Sequence, residues 1–180
     1  MGEAITERDS LPVMTTLGVT TLISDSGVTR YRVNTEEWMM YDRKKPSYWA
    51  FEKGVYMEQF DSIFNVEASI KADTAYYYDK ERLWKLIGNV DIQNRKGERF
   101  NTELLYWNEA TQKVYSDKFI RIQQPDRIIT GHGFDSNQQM TIYTIRNIEG
   151  IFYVDEEASG GPPQPETKAL PDSVNKDTAK

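Results

Sequence analysis

The feature that most constrains this chain is a two-residue period, cut at short intervals by turn residues. In WKLIGNVDIQ (84–93), Trp84, Leu86, Gly88, Val90 and Ile92 are apolar or small, and Lys85, Asn89, Asp91 and Gln93 are polar. Only Ile87 breaks the alternation. A strand sends successive side chains to opposite faces, so this pattern describes strands with one face buried. Further on, Ile120 and Ile122 alternate with Arg121 and Gln123, and TIYTI (141–145) is β-branched and aromatic throughout. Turn signals lie between the runs: DSG at 25–27, NRKG at 94–97, PD at 125–126 and SN at 136–137. Strands of five to ten residues punctuated this often predict an all-β, antiparallel protein, a sandwich or a roll. The segment YWAFEKGVYMEQFDSIF (48–64) fits the pattern least well and is read as strand and turn.

A repeat reinforces that reading. TAYYYDKERLWKLIGNVDIQ (74–93) aligns with LLYWNEATQKVYSDKFIRIQ (104–123) at an offset of 30. Tyr77 meets Trp107, Asp79 meets Glu109, and Trp84 meets Val114. Val90 and Ile92 meet Ile120 and Ile122, and upstream Ala72-Asp73 meets Thr102-Glu103. The tripeptide Asn101-Thr102-Glu103 also recurs as Asn34-Thr35-Glu36, each copy following a turn glycine, Gly97 or Gly27. The chain thus repeats a strand–turn–strand unit that buries one face against its neighbours.

Composition narrows the chemistry. One hundred and eighty residues suit a single substantial core. The net charge of −6, with no Lys/Arg cluster, argues against nucleic acid and against an anionic membrane surface as partners. No cysteine is present, which removes disulfides, thiolate nucleophiles and Cys-ligated metals. No run is long enough for a membrane span, and the start MGEAITERDS does not read as a signal peptide. All 22 aromatics fall between Tyr31 and Tyr153, whereas four of the seven prolines follow residue 160. The expected organisation is a flexible segment at 1–14, one β domain at 15–155 and a disordered Pro-rich tail at 156–180.

Few residues suggest catalysis. Glu36, Asp73 and Glu103 occupy matching positions in three units, and a hydrolase would use two such carboxylates as acid and base. Catalytic pairs are unique rather than repeated, so solvent-facing or turn positions are the better reading. His132 is the only histidine, which leaves no metal cluster and no nucleophile–base arrangement in view. Gly131 and Gly133 in TGHGFDS mark a bulge or a place where another backbone comes close, since no strand-to-helix context makes them a phosphate loop. The apolar stripe of Tyr77, Trp84, Leu86, Val90, Ile92, Leu105, Trp107, Val114, Ile120 and Ile122 is core by default. Periodicity alone does not say whether it also lines a cavity. No cofactor is called for.

The ordered run of motifs resembles the LptC family of lipopolysaccharide-export proteins and its OstA-like relatives. The resemblance rests on Ala72, Ala75 and Tyr77; on Gly88-Asn89-Val90 and Gly97; on Thr102 and Leu105; and on Gly131, Gly133, Phe134, Ser136 and Asn137. ISDSGVTRYRVNTEEWMMYD (23–42) is similar to the first repeat of the long subtype, so the likeness spans about 15–154. It implies a twisted, partly open β-jellyroll, two antiparallel sheets meeting in a V, with lipopolysaccharide acyl chains held in the groove. The ten-residue stripe would then line that groove, and Gly131 and Gly133 would serve a bulge or partner docking. The implied partners are lipopolysaccharide, the inner-membrane Lpt ABC transporter subunits and an LptA-like bridge protein joined through sheet edges. The implied place is the periplasm, at an inner membrane reached by an N-terminal anchor that this sequence does not contain. The Pro-rich tail departs from the family pattern. The alternatives are a soluble LptA-type bridge, a glycan-acting enzyme using the acidic residues, and a scaffold with a closed core.

Overall fold

The computed structural model describes residues 10–154, so the tail expected at 156–180 and most of the segment at 1–14 lie outside the described residues. Eleven antiparallel strands form one sheet. They are β1 (Met14–Asp25), β2 (Val28–Tyr41), β3 (Tyr48–Phe51), β4 (Val55–Phe60), β5 (Val66–Ala72) and β6 (Thr74–Tyr78). Then follow β7 (Leu83–Asn94), β8 (Arg99–Asn108), β9 (Lys113–Gln123), β10 (Arg127–Asn137) and β11 (Tyr143–Tyr153). Among the described residues no helix is long and apolar enough to cross a membrane.

Several strands exceed the ten residues expected, because each runs through a bend rather than stopping at it. β4 and β5 form one hairpin ladder whose continuation is the β3–β6 ladder, from Val55↔Ala72 to Phe51↔Ala75. On one side both ladders lean on β2, and on the other both lean on β7. At the same level the register slips by one in neighbour after neighbour: between Ile87 and Val90 on β7, between Thr102 and Tyr106 on β8, and between His132 and Phe134 on β10. An extra residue in one strand bends it and sharpens its twist. Because the slips lie side by side, they add up to a crease that folds one sheet into two facing leaves. The V of two sheets implied by the family resemblance is therefore a single sheet, folded.

The crease answers what the repeated Thr-Glu is for. Thr102 Oγ1 donates to Phe119 O (2.8 Å) and Thr35 Oγ1 to Gly54 O (2.8 Å), while Ser116 Oγ donates to Leu104 O (2.6 Å). Thr35, Thr102 and Ser116 are buried polar residues satisfying carbonyls that the slipped ladder would leave unpaired. Along the same line the Gly54 N–H donates to Asp73 O and the Asp73 N–H to Gly88 O. Gly88 (φ 78°) and Asn89 (φ 46°) take the left-handed turn that the bend requires on β7. The inward face changes parity there: Phe100 and Thr102 are buried before the bend, Leu105 and Trp107 after it. The extra residues are on the neighbours of β8: Gly88 and Asn89 of β7 stand opposite Glu103 alone, and β9 has one residue more than β8 across the bend, so all three strands keep their buried side inward.

We call leaf I the part holding β4 and β5, with 28–35, 90–94, 99–102, 119–123, 127–132 and 148–153. Leaf II holds β3 and β6, with 37–41, 83–87, 104–108, 113–116, 134–137 and 143–147. Rings meet across the gap: Tyr31 packs edge-on to Trp107 (5.0 Å), and Phe100 lies 5.7 Å from Phe134 and 5.1 Å from Tyr143. The core runs along the inside of the V.

Candidate functional site

The two leaves do not meet evenly. Toward β1 and β2 they stand apart around a cavity of about 890 Å³. Its leaf I wall carries Tyr31 and Val33, extended by Val19 and Ile23 of β1, which pairs there with 28–35, and its leaf II wall carries Trp38, Trp49, Phe51, Tyr77 and Trp84. These positions follow from alternation: Val19, Thr21 and Ile23 share a face on β1, as Tyr31, Val33 and Thr35 do on β2. The leaf II wall is a continuous aromatic run. Trp38 lies 5.0 Å from Trp49, Trp49 5.1 Å from Tyr77, and Tyr77 4.7 Å from Trp84, ring centre to ring centre. Such offset and tilted contacts add to the stabilisation from burial alone and hold the wall flat.

One carboxylate fixes the far end of that wall. Glu109 Oε1 accepts from Trp84 Nε1 (2.9 Å), and Oε2 accepts from the Tyr77 hydroxyl (3.3 Å) and faces Arg82 Nε at 3.6 Å. Burial, then the negative charge of Glu109 beside it, pushes the Tyr77 phenol up to about 12. The rest of the rim is polar, with Arg30, Glu67, Gln112, Gln138 and Gln139 at the mouth. A trough with aromatic walls, interspersed with Thr21, Ser24, Thr35 and Gln59, suits an amphiphile whose chains lie along the rings and whose polar head stays wet.

Of the ten stripe residues, Tyr77 and Trp84 line this cavity. Leu86, Val90, Ile92, Leu105, Ile120 and Ile122 have no exposed surface, and Val114 and Trp107 have almost none; these eight are packed into the core rather than the cavity wall. Gly131 and Gly133 both sit at register slips of β10. A Cβ on Gly131 would lie 2.3 Å from Asn147 O of β11, so the neighbouring backbone does come close there. Over Gly133 passes the Arg146 side chain, which reaches Ser116 O (2.7 Å), Asp117 (2.5 Å) and Asp135 (2.6 Å).

Asp73 and Glu103 lie at the crease, both turned to Asn89, at 2.7 Å from its side chain and 3.4 Å from its N–H. Glu36 occupies the equivalent place on β2. His132 Nδ1 faces Glu149 Oε1 at 2.5 Å across the β10–β11 ladder, half exposed. Sequence reasoning missed the β1–β2 wall and Glu109. VTTLI (19–23) is mostly β-branched, which marks a strand, but its apolar residues do not alternate and so do not give the inner face; Glu109 showed only as the counterpart of Asp79 in the repeat.

Among the described residues the free edges of the sheet are β1 and β11. Leu17 and Leu22 are exposed on the first, and Ile148, Phe152 and Tyr153 on the second. Long edges with bare apolar side chains are pairing surfaces unless something covers them.

A family model described as lipopolysaccharide-assembly, LptC-related, matches residues 13–149, well over half the chain. A comparison with curated proteins gave no match.

Proposed function

The chain belongs to the LptC-related family of lipopolysaccharide assembly, and from that premise we propose that it is a non-enzymatic carrier in lipopolysaccharide transport, one that shelters acyl chains between its leaves. The observation that carries this reading is the trough of about 890 Å³ opening beside a free edge strand. Each methylene moved from water to an apolar surface is worth about 0.8 kcal/mol, so bare acyl chains face a large penalty in an aqueous compartment. A continuous apolar trough lowers that barrier with no chemical step.

In this reading β1 abuts the inner-membrane Lpt ABC transporter subunits and β11 abuts an LptA-like bridge protein. Main-chain pairing at each edge continues the groove into the next component. Lipopolysaccharide enters at the β1–β2 end, where Tyr77 and Trp84 form the wall. Leu86, Val90, Ile92, Leu105, Trp107, Val114, Ile120 and Ile122 floor the stretch leading to β11. Gly131 and Gly133 let β11 lie close against β10, which sets the edge offered to the bridge. The protein works on the periplasmic side of the inner membrane.

Photo-crosslinking side chains test the proposal. Placed at Ile23 or Tyr77 they capture lipopolysaccharide from micelles, and placed at Asp91 or Arg121, on the outer face, they do not. Equal capture from both faces would refute the groove.

A further inference from the structure

The cavity ends where a short loop crosses the mouth of the V. Gln138 and Gln139 of this loop line the cavity at its polar rim. On the leaf II side the Gln138 N–H is bonded to Gln112 O (3.1 Å). On the leaf I side Asn94 Nδ2 donates to Met140 O (2.8 Å) and Lys96 Nζ to Thr141 O (3.3 Å). The loop is therefore tied to the tips of both leaves. Between the ties Met140, 1 % exposed, points down into the core. Its own backbone is left-handed (φ 56°), uncommon for a side chain of this size and held by the contacts around it. Beyond it, Gln124 Nε2 donates to the Tyr143 hydroxyl (2.6 Å) and to Glu98 Oε1 (3.2 Å), closing the rim.

We propose that residues 137–142 are a displaceable latch that separates the loading cavity from the trough under β10 and β11. The proposal rests on the reading of the protein as a lipid carrier. Closed, the latch keeps the exit end dry; a lipid chain reaches the β11 edge by lifting Met140 and parting the strap. Three observations support a moving part here. The Lys96 tie lies at the exposed rim, where water can replace it, and the Asn94 tie to Met140 O is a single buried hydrogen bond, whereas each leaf is held by whole ladders. An acyl chain entering below supplies the same apolar contacts that Met140 gives up, so no void is left. The turn is internally fixed, since Asn137 Oδ1 accepts from the N–H groups of Thr141 and Ile142, and Ser136 Oγ of β10 donates to Ile142 O at its base, so the hinge lies at the end of the strand.

The chain has no cysteine, so a reversible tether is clean. In full-length protein carrying Lys96→Cys and Ile142→Cys, a short reducible bismaleimide locks the strap to leaf I. Photo-crosslinkers at Ile23, in the cavity, and at Ile145, beyond the latch, then report where lipopolysaccharide goes. Expected is capture at Ile23 in locked and reduced protein alike, with capture at Ile145 lost on locking and restored by reduction. Met140→Ala, without a tether, is expected to raise capture at Ile145. Equal capture at Ile145 in locked and reduced protein overturns the latch while leaving the carrier reading intact. No capture at Ile23 in either state overturns the carrier reading, and the latch with it.

Discussion

The two halves of the V are built from the same creased strands and end differently. At the β1–β2 half, rings stack along one wall, Trp38 to Trp49 to Tyr77 to Trp84, and a cavity opens between that wall and the facing one, which Tyr31 bridges to Trp107 at one end. At the β8–β11 half, rings cross the gap: Phe100 from leaf I lies against Phe134 and Tyr143 from leaf II, and Met140 fills what is left. The difference teaches that strands set the leaves and side-chain direction sets the space between them. Aromatics that lie side by side line a trough, and aromatics that interdigitate make a core.

Substitutions sharpen the contrast in order of size. Phe100→Ala, in the closed half, opens a cavity among atoms that cannot collapse onto it and is expected to cost about 3–5 kcal/mol in denaturant unfolding. Ile23→Ala, on a wall that already faces space, loses only transfer energy, about 1 kcal/mol. Comparable costs would mean that the open half is in truth packed. Next, Asn94→Ala removes the donor to Met140 O and the acceptor for the Lys96 and Glu98 N–H groups. It is expected to cost about 1–3 kcal/mol, with faster hydrogen exchange at 137–142 and little change at β1–β2. Uniform protection loss across the sheet would show that the strap is not a separate unit.

The crease gives smaller effects. Thr102→Val strands the Phe119 carbonyl at the cost of about 1 kcal/mol, whereas Glu36→Gln and Glu103→Gln stay within about 0.5 kcal/mol in unfolding. A lipid-transport defect from the Gln variants with stability unchanged would revive a role for the carboxylates.

The smallest effect on stability is spectroscopic. Tyr77 sits above the ordinary phenol value of 10, at about 12. A group raised in the folded state binds its proton more tightly there. Its contribution is therefore complete below pH 10 and is lost as pH rises toward 12. Tyr143, in the closed half, is also raised, first by burial and then by the charge of Glu98. Ultraviolet titration of Glu109→Gln is expected to lower the Tyr77 transition toward the ordinary phenol and leave Tyr143 unmoved. If both moved together, the two halves would not be electrostatically separate.

Much of this was legible in residue order. Alternation placed Trp84, Leu86, Ile120 and Ile122 on the inner face, and all four are buried there. The offset of 30 turns out to map each strand onto the next but one: Tyr77 and Trp107 flank Trp84 in adjacent ladders, as Trp84 and Val114 flank Trp107. Even the crease was written, in the parity switch from Thr102 to Leu105 and in the glycine and asparagine at 88–89. It went unread because a switch of face looks like the end of a strand until the neighbouring strands are seen to switch beside it. The candidate site was less legible, since the stripe does not separate wall from core.

The sequence by itself determined the strands, their inner faces, the turns and the family, because each depends on local period, local turn geometry and motif order. Only the tertiary structure decided where the leaves part. That depends on whether residues far apart in the chain, Tyr31 and Trp107 or Asn94 and Met140, come to face each other, and no local pattern encodes the distance between two surfaces that each would bury equally well.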